Sequence, residues 1–300
     1  MKNESIKGYL LAFTAATLWG VSGTFGQFLF EFRDINPGWL VTLRLLFSGI
    51  ILLSVSISKA DNQLFKIWKN RNDAIQLVLF SILGMLAVQY TYFEAINQSN
   101  AATATVLQYL GPVMIACFYA LKERRVPSGL ELAAIALALC GTFLLVTHGS
   151  IHTLTITRPA LFWGLLSAVA LAYYSIQPVQ LLKKYSSLNI IGWAMFIGGL
   201  AFTFVYPVWE VKGTWDTQTY AYTAFVLVLG SLVPFYMYLS SIQLIGAKKS
   251  SLLACAEPLS ATFMAVIWLD VPFGQMEIWG TICIITTIMI LTQIKKPLIH

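Results

Sequence analysis

The sequence is short of charge. Charged residues fill 11% of its 300 positions, against about a quarter in ordinary soluble domains. Hydrophobic residues fill 58%, and surface-to-volume scaling leaves a soluble fold of this size no room to hide them. The same balance excludes disorder, which needs few apolar residues and many charges. Alternating polarity is missing as well. The apolar runs are about 20 residues long and unalternating, which excludes a transmembrane β-barrel and fits helices crossing a hydrocarbon core of about 30 Å.

Several chemistries lack their parts. The three histidines, His148, His152 and His300, lie at or beyond the ends of apolar runs. The four cysteines, Cys117, Cys140, Cys255 and Cys283, lie inside the runs, and none forms a Cys-x-x-Cys pair. Neither a metal knuckle nor a redox motif is indicated; buried free thiols are expected. There is no GxxxxGK[ST] and no HExxH, so an intrinsic ATPase or zinc peptidase has no support. Gly20-Val21-Ser22-Gly23 matches the GxSG of intramembrane serine proteases. That chemistry needs a histidine base in reach of the serine, and every histidine sits at or beyond a span end. A channel would need a continuous polar pore, and charged or amide residues in the runs are too few. The reading is therefore no enzyme, no cofactor and no metal.

Breaks in the apolar runs place ten helices, at about 8–30, 37–58, 74–97, 101–121, 128–148, 159–182, 189–209, 219–244, 248–269 and 274–294. The first follows Lys2 and Lys7, but from Gly8 to about Phe30 it is too long for a signal-peptide core. It is read as a span, not a cleaved leader. With ten spans both termini share one side. Fifteen of the 19 Lys and Arg residues then fall on that side, Lys66, Arg71, Lys184 and Lys248 among them. Only Arg33, Arg158 and Lys212 fall on the other, and Arg44 lies within a span. The asymmetry makes both termini cytoplasmic. The net charge of +6 thus reports topology and attraction to the cytoplasmic leaflet, not nucleic acid.

A shift of 146 residues lays one half on the other without a gap. Gly84 falls on Gly230, Tyr90 on Tyr236, Tyr92 on Tyr238, Pro112 on Pro258 and Glu131 on Glu277. Each unit, 8–148 and 159–294, has five helices. An odd number makes the second unit enter from the opposite side. The expected fold is an all-α membrane protein of ten transmembrane helices in two inverted five-helix repeats, a recurring design of secondary transporters.

These residues resemble the EamA family of the drug/metabolite transporter superfamily over nearly the full length. The resemblance is carried by Trp19-Gly20, by Pro37 and Arg44 in a Pro-x6-Arg pattern, and by Gly111-Pro112 with Glu123 after it. Glu257-Pro258 and the stretches around Glu131 and Glu277 add to it. Asp270 stands where the family more often has glutamate, and position 111 lacks the acid present at Glu257. The resemblance implies the architecture. It leaves the substrate open, since members are similar to exporters of amino acids and other metabolites, and some import amines or vitamins.

Glu257 is the most informative single residue. On a helix entering near Lys249 it sits on the order of 12 Å deep, close to the midplane. An acid there usually faces a cavity or a partner. Pro258 after it removes a backbone hydrogen bond, and a carboxylate beside freed carbonyls can attract a cation or take a proton. The alternative is a structural carboxyl paired with Arg44 or with hydroxyls. Arg44 is placed to hold a substrate carboxylate bidentately. Because the family pattern keeps an arginine there across different substrates, a helix-to-helix bond is favoured. Glu94 shares a helix face with Tyr90 and Asn97, as an outer vestibule or a solvated end. The repeat mates Tyr90/Tyr236 and Tyr92/Tyr238, with Trp19, are candidates for an aromatic cage around an ammonium group. Gln108 is a further polar candidate. Pro112 and Pro258, also repeat mates, are candidate hinges.

The expected function is secondary active transport of a small polar metabolite, an amino acid or related amine. Export by alternating access, driven by the substrate gradient or by protons through Glu257, is the leading form. The alternative is an organic-cation carrier for choline or a quaternary ammonium drug. The expected partners are the substrate, the lipid bilayer of a bacterial cell membrane and protons. Monomer and homodimer both stay open.

Overall fold

Long apolar runs become long helices because a bilayer offers no water to the backbone, so each segment must satisfy its own N–H and C=O groups. The computed structural model describes residues 2–59, 64–122, 124, 126, 128–147, 156–245, 253–254 and 256–293, and helix is the regular structure among them. In order the segments are α1 (Lys2–Arg33), α2 (Pro37–Ser58), α3 (Arg71–Gln98), α4 (Ala101–Lys122) and α5 (Gly129–Thr147). Then come α6 (Arg158–Leu182), α7 (Ser187–Thr203), α8 (217–245), α9 (Ala256–Trp268) and α10 (Gln275–Gln293). Five stretches, Pro37–Ser58, Arg71–Gln98, Ala101–Lys122, Arg158–Leu182 and Thr217–Tyr238, are long and apolar enough to cross a membrane. Of the residues weighed from sequence, Glu123, Cys255, Lys248, Lys249, Lys295, Lys296 and the three histidines lie outside the described residues.

Short polar residues start the helices. Asn36 caps α2 by accepting from the Trp39 N–H, with Pro37 in the first turn where its missing N–H costs nothing. Asn100, Thr157, Ser186 and Asp216 cap α4, α6, α7 and α8 in the same way. Ser128 and Glu131 close a reciprocal capping box on α5. The α7 helix ends at Thr203 rather than near 209. Pro207 explains this, since the residue before a proline is pushed out of the helical region.

Helices meet where side chains are small. A Cβ built on Gly49 of α2 would lie 2.5 Å from the Phe196 nitrogen of α7. One on Gly20 of α1 would lie 2.4 Å from the Glu257 carbonyl oxygen of α9. Such approaches let backbones pack directly in lipid, where apolar side chains gain nothing by leaving the solvent. The main core, including Leu40, Leu45, Met85, Phe93 and Ala194, lies between α2, α3 and α7.

Among the described residues, irregularities in four helices are related by the 146-residue shift, while a turn at Gln177 and Pro178 in α6 has no mate in α1. A π-helical stretch at Phe80–Leu86 interrupts α3, and another at Val228–Leu232 interrupts α8. The shift carries 80–86 onto 226–232. Turn geometry at Tyr109 and Leu110 divides α4 into Ala101–Gln108 and Gly111–Lys122. The same shift carries 109–110 onto 255–256, where α9 begins after a turn at Ala254.

Candidate functional site

Proline dictates where each break needs help. It has no N–H, so in a helix the carbonyl four residues earlier loses its donor. For Pro258 that carbonyl belongs to Ala254, and for Pro234 to Gly230. In a low-dielectric interior an orphaned carbonyl costs about 1–3 kcal/mol, so a donor from elsewhere is worth recruiting.

Ala254 lacks the donor that a proline denies it but accepts from the Glu257 N–H at 2.9 Å, and it takes a second donor from the other half of the chain. The Tyr109 hydroxyl, at the break in α4, donates to the Ala254 oxygen at 2.7 Å. The same hydroxyl lies 3.0 Å from Glu257 Oε2. One phenol therefore joins the break in α4, the freed carbonyl before α9 and the acid in the first turn of α9. Glu257 itself is only partly buried. An acid in the first turn is favoured by the helix dipole. Pro258 is buried beside it.

Gly230 takes its donor from Arg44. Arg44 Nη2 donates to the Gly230 oxygen at 3.2 Å, and Arg44 Nε to Ser231 Oγ at 2.8 Å. Ser231 in turn donates to the Val226 carbonyl at 2.9 Å. The guanidinium also stands 4.7 Å over the centre of the Phe93 ring. Arg44 is 6% exposed, so the guanidinium is turned into the protein and not to solvent. No ion pair joins it to Glu257, although each feels the other's charge. Arg44 thus links α2 to the π-helical stretch of α8.

The aromatic candidates separate into distinct places. Tyr92 is 8% exposed and bonds the Thr105 hydroxyl at 2.7 Å. Since Thr105 donates to the Ala101 carbonyl, Tyr92 is the donor of that pair. Trp19 packs on Tyr238 and Phe235, with ring centres 5.3 and 5.2 Å away. It is the neighbour in sequence of Gly20, which touches the Glu257 backbone, so this ring cluster adjoins α9. Tyr90 belongs elsewhere: its hydroxyl lies 3.2 Å from that of Tyr206, with Glu94 in hydrogen-bonding reach. Tyr236 is 57% exposed, unlike its repeat mate Tyr90. Gln108 is buried at the end of the first piece of α4. Pro112 lies in the first turn of the second piece.

Ser231, Tyr206 and Thr105 were not among the residues singled out from sequence, and Tyr109 stood out there only as one of the aromatics within the spans. It stands three residues before Pro112, at the position the repeat pairs with 255. Ser231 follows Gly230, the residue whose carbonyl Pro234 frees. Among the described residues no group of three or more His, Cys, Asp or Glu side chains stands close enough to hold a metal. What the arrangement offers chemically is one reachable carboxyl, a phenol that both donates and accepts, and aromatic faces nearby. Those groups suit a proton or an ammonium ion.

Known proteins are similar to this chain over most of its length. The family described as the EamA-like transporter family matches residues 6–147 and again residues 158–293. A relative in Salmonella typhimurium, named the uncharacterized inner membrane transporter YicL, is 40% identical over 289 residues, covering 95% of each chain. In Bacillus subtilis the uncharacterized transporter YetK is 29% identical over 230 residues, 73% of this chain and 65% of its own. A solved crystal structure is similar with a TM-score of 0.63, covering 94% of this chain and 95% of its own at 16% identity. At that identity the likeness is one of fold.

Proposed function

The chain belongs to the EamA-like transporter family of membrane transporters, and from that premise we propose that it is a proton-coupled secondary transporter of a small amine-bearing metabolite. The cargo class is an amino acid or a related amine, and export is the working direction. Transport proceeds by alternating access between two inverted five-helix repeats, 8–148 and 159–294, in ten spans with both termini cytoplasmic. The membrane is the bacterial inner membrane, in keeping with the name of the Salmonella relative.

The observation that carries this reading is Glu257. It is a partly buried acid at a helix break, bonded to a phenol and not to an arginine. An acid so placed exchanges a proton or an ammonium group without first breaking an ion pair. Arg44 has Nε and Nη2 engaged by Ser231 and Gly230, which favours recognition of an amine over recognition of a carboxylate. The repeat-related breaks in α3, α8, α4 and α9 support a machine built from two like halves. A second reading, carriage of an organic cation such as choline or a quaternary ammonium drug, draws on the Trp19–Tyr238–Phe235 rings beside α9.

Proteoliposomes holding a trapped pH dye test the proposal without a known substrate. Amino acids, polyamines and quaternary ammonium compounds are added outside in turn. An amine that exchanges for protons changes the lumenal pH with the wild type and not with Glu257→Gln. A response that Glu257→Gln leaves intact removes Glu257 from the mechanism. Uptake of a permanent cation with no pH change favours the second reading.

A further inference from the structure

We infer that Tyr109 is a positioning residue that ties the proton on Glu257 to the helix break before Pro258, so that loss of the proton loosens the break. The inference deepens the proton-coupled reading above and rests on it. It starts from a count of hydrogens. Three oxygens stand in a row: Glu257 Oε2, Tyr109 Oη and the Ala254 carbonyl, spaced 3.0 and 2.7 Å apart. Two linear hydrogen bonds among three oxygens need two protons. The carbonyl brings none, and Tyr109 brings one. The second is a proton on Glu257, which donates to Tyr109 while Tyr109 donates to Ala254. The arrangement is thus complete when Glu257 is a neutral acid.

Loss of that proton removes one hydrogen from the row. An ionised Glu257 is acceptor-only, and hydrogen bonds to charged acceptors are about twice as strong as those to neutral ones. The Tyr109 proton therefore turns to the carboxylate. Ala254 keeps only the donation from the Glu257 N–H at 2.9 Å. Its helical donor is missing because residue 258 is proline. The proton thus decides whether the break in α9 is tied to the break in α4.

Among the described residues, Tyr109 is the ionisable side chain hydrogen-bonded to Glu257. From α4 the group facing Glu257 is Tyr109. Packed on the other side is α1, which has no charged residue between Lys7 and Glu31 and meets α9 through Gly20, Thr17 and Thr24. Arg44 of α2 acts on Glu257 through its charge, and Tyr92 of α3 feels the charge of Glu257 in turn. Both are held by partners of their own.

Two readings on purified full-length protein test this across a pH series. Infrared difference spectra follow the carboxylic-acid band that Glu257→Gln removes. Hydrogen–deuterium exchange follows the peptide 253–258, corrected for the intrinsic pH dependence of exchange. In the wild type the two change together, with at least a tenfold rise in exchange as the band is lost. In Tyr109→Phe the band still titrates, but exchange is fast at every pH and no longer follows it. In Pro258→Ala the restored N–H caps Ala254, and exchange is slow at every pH. Exchange in Tyr109→Phe that still tracks the band overturns the Tyr109 tie and leaves the proton reading standing. Absence of any Glu257-dependent band overturns both.

Discussion

Arg44 donates to the carbonyl oxygen of Gly230 at 3.2 Å, and that oxygen is the one Pro234 leaves without its helical donor. The same relation holds between Tyr109 and Ala254, at Pro258. In each case a proline disturbs a helix and a side chain from the first half of the sequence repairs the loss. The second half is thus held to the first at its own weak points. Conformational change in a transporter needs such points, because packed cores switch between discrete arrangements and do not bend freely.

Arg44 is accordingly expected to be worth more to stability than to cargo binding. Arg44→Met strips a charged donor from Gly230 and Ser231 and should cost about 3 kcal/mol. Pro234→Ala returns an N–H to Gly230, so the double variant should lose at least about 1 kcal/mol less than the two singles together. Unfolding in detergent micelles measures all three. Strict additivity would mean that Arg44 does not serve that carbonyl.

Gly20 marks the contact between α1 and α9. An added Cβ would lie 2.1 Å from Ser260 Oγ and 2.4 Å from the Glu257 oxygen. Backbone on the far side cannot yield, so Gly20→Ala should lower stability by about 1–3 kcal/mol and reduce transport. Gly129, with nothing within 4 Å of its built Cβ, supplies the control. Gly129→Ala should stay within about 0.5 kcal/mol of the wild type. Equal melting temperatures for both variants would contradict the packing described.

Outside the spans, Asp216 should make stability depend on pH. The Thr219 N–H, then the Thr219 hydroxyl, hold its carboxyl below the ordinary range, with Arg33 adding to the effect. A carboxyl depressed on folding stabilises the fold above its unfolded value, about 3.9, and that contribution fades as pH falls through the folded value. The melting temperature of the wild type should exceed that of Asp216→Ala at pH 7. The gap should narrow steadily as pH is lowered below about 4. A gap that stays constant or widens in acid would contradict this.

Topology is open to a direct check. Lys212→Cys should react with an impermeant thiol reagent from outside intact cells. Lys59→Cys and Lys184→Cys should react only after the membrane is opened. Labelling of all three from one side would refute the ten-span, inverted arrangement.

Much of the helical layout is legible in the sequence, because long apolar runs and capping residues such as Asn36, Asn100 and Asp216 act locally. The interior breaks are less so. Pro112 and Pro258 announce that a carbonyl is freed. Which side chain answers depends on how the helices pack, and no spacing rule reaches from Tyr109 to Ala254. The repeat also misleads about side-chain surroundings. Tyr236 aligns with Tyr90, yet Tyr90 bonds Tyr206 while Tyr236 is exposed, because related positions in two halves meet different neighbours. Arg44 was legible as a buried charge, but its partners lie 186 and 187 residues away, beyond any local pattern.

The central claim is that Glu257 is where cargo and proton meet. Ligand-dependent thermal stability of the purified protein tests it most directly, with amino acids, polyamines, quaternary ammonium compounds and nucleobases offered to the wild type and to Glu257→Gln. A ligand at about 100 times its dissociation constant stabilises by about 2.7 kcal/mol, which a melting curve resolves. The account predicts that an amine-bearing solute raises the wild-type melting temperature and leaves Glu257→Gln unmoved. Stabilisation of equal size in both proteins would contradict it.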